Sequence, residues 1–460
     1  MPRIGQHAVV CGASMAGLLA ARVLTEHYDR VTVVERDVLT DDPTPRRGVP
    51  QGCQPHALLT RCAQILDELF PGYLDELVDA GAHRWDDGDL TKFDVSFGGH
   101  VMLRNGRMPR PQSLVQHYVS RPLLEHHVWR RVRALPRVNI LDGHHVDTLL
   151  RTSSRVTGVR VSQTCGPATD LHADLVVDAS GRGSRTPAFL AELGYERPAV
   201  EELVIRVAYA SMPVRIPPDA LRQHLIVRMF EPGRPRGFVM FRCEKDVWMV
   251  AAGTLGPIRP PSTPAELLDF GEGIAPPYAL AAARAAEPLD GVRVYQYPSN
   301  RWRRYDKMTR FPGGFVVLGD AFCSFNPIYG QGMTVAAIEA TILRDCLRAG
   351  DTDLPRRFHR RAANTIRVAW QTAVGSDLAL PEVHGRPSPS MRLTNAYTEH
   401  VLRAAEVDSL VVQDFLRVVG MVAPPASLLH PAFMMRVARA GRRRAGAPGA
   451  GASVLTATGQ

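Results

Sequence analysis

Gly12-Ala-Ser-Met-Ala-Gly17 stands between a short apolar run, His7–Cys11, and a segment, Met15–His27, whose apolar residues recur at helical spacing. The two glycines suit that junction: Gly12 permits a tight turn, and Gly17 lets helix and strand approach closely. Ser14 takes the place where the pattern expects a second glycine. Met15 and Ala16 open the helix, whose first N–H groups lack intrahelical partners and can meet a pyrophosphate. A β-branched run, Val31–Val34, ends in Glu35 and Arg36, about 20 residues past the turn, where an acid accepts a ribose hydroxyl. Strand, turn, helix, second strand and acid thus fall in the order of a dinucleotide grip. NAD and FAD use the same grip, so this end of the chain leaves the choice open.

Three later segments carry more information: Val176-Val-Asp-Ala-Ser-Gly-Arg182, Leu318-Gly-Asp-Ala321 and Asn326-Pro-Ile-Tyr-Gly-Gln-Gly-Met333. In this order they resemble the motifs of the class A flavoprotein monooxygenase superfamily, whose prototype is p-hydroxybenzoate hydroxylase. The resemblance spans Ala8–Leu347 and implies a non-covalently bound FAD. Asp178 and Gly181 match its Asp-Gly motif, with Ala179 in place of the usual glycine. Gly319 and Asp320 match the Gly-Asp motif, in which Asp320 would bind the ribityl chain. Pro327, Gly330, Gln331, Gly332 and Met333 would lie along the isoalloxazine ring, where bare glycine backbone admits a flat ring. A helix starting near Gly332 would point its positive end at the ring's N1–C2=O edge and stabilise the reduced flavin. The same resemblance adds Arg121 at the phosphate and ribityl region, Arg47 near the flavin and an incoming nicotinamide, and Val146.

The string Arg46–Gln51, followed by His56 and Leu58, resembles a bacterial branch related to squalene epoxidases, which includes polyether-type epoxidases and other natural-product tailoring oxygenases. That implies reduction by NAD(P)H or a separate flavin reductase, then a flavin C4a-hydroperoxide formed with molecular oxygen. One oxygen atom would pass to an alkene or aromatic ring, by epoxidation or hydroxylation. Such chemistry asks little of protein acid–base groups, so no catalytic acid or base is nominated, and Pro327, Gly330 and Gly332 serve to position the flavin. His56 and His117 read as satisfied histidines.

These residues need a frame to bring them together. The pattern predicts a Rossmann-like α/β FAD-binding domain built from residues 1–85, 115–200 and 298–347. Residues 86–114 and 201–297, with their alternating strands, form an inserted antiparallel sheet for the substrate. Residues 348–440 form a helical region, and 441–460 a disordered Gly/Ala tail. Pocket walls are expected from Phe93, Val95, Phe97, Met102, Tyr209, Met229, Met240 and Trp248, whose apolar character suits a polyketide, terpenoid or aromatic substrate.

Composition narrows the alternatives. The formal charge of +9 comes from 55 Lys and Arg against 46 Asp and Glu, without a lysine-rich arm or zinc-finger spacing, so no nucleic-acid partner is expected. The 7 cysteines are scattered, without a Cys-x-x-Cys pair; neither metal nor disulfide framework is expected, and a cytoplasmic setting fits. Val418–Met435 is broken by Pro424, Pro425 and Pro431, which predicts paired helices with at most peripheral membrane contact. No second glycine fingerprint follows a strand, against two-dinucleotide flavoproteins. The Trp-x-Trp-x-Ile-Pro string of flavin-dependent halogenases is absent. A flavin-dependent reductase of the prenyl-reductase kind, and a non-catalytic flavin-binding or membrane-surface protein, stay open as alternatives.

Overall fold

The run Ala8–Cys11 is buried on both faces, as the strands of a parallel sheet must be when helices cover each side. A computed structural model describes residues 3–163 and 166–445. In it five parallel strands lie in the order Phe315–Val317, Leu175–Asp178, Gly5–Cys11, Tyr28–Val34, Val138–Leu141. Cys11 pairs with Asp178 on one side and Val34 on the other, and Asp178 pairs with Val317. Four strands therefore end level along one edge of the sheet. Helix Met15–Leu24 packs beside Gly332–Arg348, and Leu354–Asp377 packs outside that. This is the Rossmann-like α/β frame that the sequence implies.

A second sheet of nine strands runs Cys323–Ser324, Arg293–Arg303, Val200–Arg215, Val247–Leu255, Arg236–Arg242, Leu225–Arg228, Phe93–Phe97, His100–Val101, with Glu287–Pro288 attached to Val200–Arg215. Its pairs are antiparallel except where Leu225–Arg228 lies parallel to Phe93–Phe97. Strand alternation sorts the residues by face. Register places Val95, Val227, Val239, Ala251 and Ser211 on one face and Ile226, Met240, Val250 and Met212 on the other.

The second, outer face is covered by two helices, Pro264–Phe270 and Pro277–Ala285, inside the 201–297 segment for which alternating strands alone are expected. The signal was present. Thr263 Oγ1 accepts from Glu266 N, and Glu266 reaches back to Ser262 N at 2.8 Å, a capping box with Pro264 at the first helical position. Met240 and Trp248 pack into the core beneath these helices. They were expected to wall a pocket, yet the alternation that put them on strands also turned them to the covered face.

The inner face meets the C-terminal region. Helices Pro389–Ala405, Ser409–Val419 and Pro431–Ala445 share a core with Phe241 and Met249, with Phe93 and Phe97 against it. Phe97 meets Phe415 edge-on at 5.8 Å between ring centres. Among the described residues no helix is long and apolar enough to cross a membrane. The last helix continues through Ala445, because arginine and alanine favour a helix once its apolar face is anchored. The rest of the expected disordered tail, 446–460, lies outside the described residues.

The glycine turn explains why the frame closes. Gly12 has φ +108°, and a Cβ on Gly17 would stand 1.8 Å from the Gly12 carbonyl oxygen. Substitution Gly17→Ala is expected to cost more than about 3 kcal/mol, the upper end of overpacking penalties. Thermal unfolding checks this against Gly291→Ala, whose Cβ meets nothing within 4 Å and which should be neutral.

Candidate functional site

Level strand ends put the loops that follow them side by side. Gly12, Glu35, Asp178 and Gly319–Asp320 all line one cavity of about 930 Å³ at this edge. Ser14, Met15, Ala16, Arg36, Arg121, Val146 and Gly181 line it as well, with Pro327, Gly330, Gly332 and Met333 from the later loop. Gly17 lies under the turn instead. Gln331 is buried beside the lining with its Oε1 unpartnered. Arg47 is exposed and outside the lining, whereas its neighbour Arg46 turns inward, donating to Ala13 O at 3.0 Å.

Arg46 joins a buried charge cluster that the sequence reading missed. Its guanidinium pairs with Glu125 and stands 3.5 Å from Glu35. Arg121 donates to Glu125 through Nε at 2.9 Å and Nη2 at 2.7 Å, and to Ser14 Oγ at 3.1 Å. Burial alone would raise the Glu125 carboxyl, but Arg121 and Arg46 outweigh it and hold it below its ordinary range. Glu35 Oε2 accepts from Ala13 N at 2.7 Å, tying the acid to the glycine turn. Each charge here has a counter-charge, so the cluster fixes geometry more than it adds stability.

The two motif aspartates differ sharply. Asp178 is saturated by its own loop: Ser180 N (2.9 Å), Ser180 Oγ (2.5 Å), Ser184 Oγ (2.5 Å) and Thr186 Oγ1 (2.5 Å) all donate to it. It shapes the turn and has little left for a ligand. Asp320 receives no hydrogen bond from a described residue and faces the cavity. Burial raises its pKa, against the pull of Arg182, Arg121 and Arg303. Such a carboxylate calls for donors, and ribityl hydroxyls are donors.

Arginines brace the same loops. Arg303 donates to Ala321 O and to Arg182 O, each at 2.9 Å, joining the two aspartate motifs. Arg182 donates to Ser324 Oγ at 2.6 Å and Ser299 Oγ at 2.8 Å, with its guanidinium 4.7 Å above the Tyr297 ring. Its place in the Val176–Arg182 string was the available clue.

Two of the helices whose first residues line the cavity, at Met15 and Gly332, lack a side-chain cap. The helix at Arg121, which also begins on the cavity, is capped by Ser120, and helices away from it at Pro389 and Ser409 are capped by Ser388 and Asp408. Open N–H groups and positive helix ends aimed at one cavity suit an anion at one and an electron-rich ring edge at the other. A Cβ on Gly332 would enter the space beside Asp320 Oδ1, 3.9 Å away. Open helix ends, a donor-hungry carboxylate and a bare glycine loop fit FAD.

His56 lines the cavity and bonds Gln54 O through Nδ1 at 2.8 Å; burial, then Arg121, lowers it to about 4, so it is neutral. His117 lies outside the lining, also lowered to about 4, chiefly by burial. Glu339, under the Gly319 turn, is fully buried and accepts from Gly319 N at 2.6 Å. Burial pushes it up to about 8, with the Gly319 N–H opposing and Asp320 adding. Among the described residues no cluster of His, Cys, Asp or Glu could hold a metal ion.

Of the inner-face residues, Phe93, Phe97, Tyr209 and Met229 are half-buried, and Val95 is buried. Met102 is buried in the core shared with the C-terminal helices. Tyr209 reaches the later loop, donating to Asn326 Oδ1 at 2.5 Å.

Residues 6–350 match the family model described as an FAD binding domain. The chain is 36% identical over 423 residues to Protein Rv3254 of Mycobacterium tuberculosis, covering 89% of this chain and 88% of that one. It is 27% identical over 492 residues to kynurenine 3-monooxygenase of Salinispora tropica, covering 100% and 97%. A flavoprotein/dehydrogenase from Cytophaga hutchinsonii superposes with TM-score 0.66 at 15% identity, covering 96% of this chain and 99% of that one. The flavin-dependent brominase Bmp2 superposes with TM-score 0.63 at 14% identity, covering 96% and 100%. At such identities the two structures show a shared fold.

Two outcomes follow from these contacts. Asp320→Ala should weaken FAD binding by roughly ten- to a hundredfold, the loss of hydrogen bonds to a charged acceptor, measured by fluorescence titration of the apoprotein. Glu339 has a folded pKa of about 8 against 4.5 unfolded, so its contribution to stability is full at low pH. It falls as pH rises from about 5 to about 8, where only the unfolded chain has released the proton. Glu339→Gln keeps the acceptor for Gly319 N without that titration. The variant's Tm should therefore gain on the wild type's across this window, and parallel pH profiles would refute the assignment.

Proposed function

The chain belongs to the FAD-binding domain family of class A flavoprotein monooxygenases, and from that premise we propose that it epoxidises or hydroxylates a hydrophobic small molecule. The observation that carries this is the meeting of a half-buried apolar sheet face with the Asn326–Gly330 loop at Tyr209. Bound FAD, reduced by NAD(P)H or a separate reductase, supplies the activation of molecular oxygen. The chain's own residues then have three tasks. Asp320 and the uncapped helix ends hold the cofactor. Gly330 and Gly332 leave room against the ring. Val95, Met229 and Tyr209 offer an apolar wall that aims the substrate and keeps water away, backed by Phe93 and Phe97, which pack against the C-terminal helices. Val95 and Phe97 lie on the strand segment that joins the large sheet by its parallel pair, which brings them to the same face as Tyr209.

A polyketide, terpenoid or aromatic natural-product intermediate suits such a wall, as does kinship to the epoxidase-like tailoring branch. A cytoplasmic location belongs to the same proposal. A second reading, a flavin-dependent dehydrogenase or reductase, draws on the likeness to the Cytophaga hutchinsonii flavoprotein/dehydrogenase. Halogenation draws on the likeness to Bmp2.

Labelled oxygen gas separates them. Incubation with FAD, NAD(P)H and a panel of hydrophobic candidates under ¹⁸O₂ should give a product carrying one labelled oxygen atom by mass spectrometry. The same product under strict anaerobiosis would leave the dehydrogenase reading, and a halide-dependent mass gain would leave halogenation.

A further inference from the structure

The helix Leu354–Asp377 ends by delivering a carboxylate to the Asn326–Tyr329 segment, and nothing in the chemistry above uses it. Asp377 is 1% exposed, and Asn300 and Asn326 are buried beside it. Its Oδ2 accepts from Asn300 Nδ2 at 2.6 Å; its Oδ1 accepts from Asn326 Nδ2 at 3.0 Å and from Tyr329 OH at 2.7 Å. Neither amide can be turned around. Asn300 Oδ1 accepts the backbone N–H of Asn326 at 2.5 Å, while Asn326 Oδ1 accepts Ile328 N at 3.3 Å and Tyr209 OH at 2.5 Å. Both NH₂ groups are left for Asp377, which meets three donors and no acceptor.

An acid is a costly residue at this place. It stands at the negative end of a helix dipole, and burial adds a desolvation penalty. Burial pushes its carboxyl up, and Tyr329, Asn300 and Asn326 pull it back. A locally unfavourable choice that is fully satisfied by hydrogen bonds is the mark of a specified geometry. Three elements meet on it, the helix Leu354–Asp377, the strand carrying Asn300 and the loop itself, and the strand carrying Tyr209 joins through Asn326.

We propose that Asp377 is a positioning residue that sets the height and tilt of the Pro327–Gly330 loop against the flavin ring. Tyr209, through Asn326, extends that hold to the substrate-facing sheet, so loop and sheet face keep one fixed spacing. The inference rests on the reading of this loop as the ring's support, and its test needs no substrate.

Purified holoenzyme carrying Asp377→Asn, Tyr209→Phe or Tyr329→Phe is compared with wild type by flavin absorption, flavin fluorescence, midpoint potential and FAD Kd. Asp377→Asn should retain FAD with a Kd raised about tenfold, the loss of charge-assisted hydrogen bonds. Its visible flavin band should shift and its midpoint potential move, because the loop along the ring is no longer held at one spacing. Tyr209→Phe should shift the same band in the same direction by less. A lower Tm with band, potential and Kd all at wild-type values would mean a purely structural role and overturn the proposal. If Asp377→Asn does not fold, the two phenylalanine variants decide, and wild-type spectra in both overturn it. Absence of oxygen transfer would count against the monooxygenase reading alone, because these flavin signatures are read without turnover.

Discussion

The site depends on one set of backbone hydrogen bonds, the parallel ladder that pairs Cys11 with both Asp178 and Val34, and Asp178 with Val317. A one-residue slip in any of these pairs would turn a strand's side chains to the opposite face and move its loop along the edge. With the register held, a glycine turn, an acid, a serine-rich turn and a glycine–aspartate turn open onto the same cavity. Ligands gather at such an edge because helix starts and loop backbones converge there. The 1.8 Å that a Gly17 Cβ would leave to Gly12 O shows how tightly the first helix is pressed against its own turn.

Around this edge the structure divides its polar groups into satisfied and waiting. Asp178 and Asp377 are each met by donors from the protein and act on backbone geometry. Asp320 and the starts of the helices at Met15 and Gly332 have no such partners. A buried polar group left without a partner costs free energy unless a ligand supplies one. The arrangement is thus a mould for a polyhydroxylated chain between an anion and a flat ring.

Much of this was legible from sequence, for reasons that differ by residue. Gly12, Gly17, Glu35 and Asp320 could be found because their roles constrain residue type and spacing tightly. Asp178 could be located, but its partners, Ser184 and Thr186, belong to a turn whose shape no periodicity announces. Arg47 was chosen over Arg46 because adjacent arginines in a loop carry no facing signal. Met240 and Trp248 show the limit of alternation: it says that two faces exist and not which one is covered. The first covering helix was itself announced by Ser262, Thr263 and Glu266, whereas the second, Pro277–Ala285, has no side-chain cap to announce it. Asp377 had no local signature, since its partners lie 77, 51 and 48 residues away.

The order of strands in the parallel sheet also has a consequence for synthesis. Phe315–Val317 covers the outer edge of Leu175–Asp178, yet it follows Asp178 by well over a hundred residues. At translation rates of about 5–20 residues per second, that edge stays open for roughly 7 to 27 seconds after it emerges. An apolar edge strand exposed for that time is a template for wrong pairing. Asp320 and the loop that follows it are made only after Val317, so these parts of the flavin site are also missing throughout that interval. The newborn protein therefore spends its most vulnerable interval without the residues that complete its cofactor site.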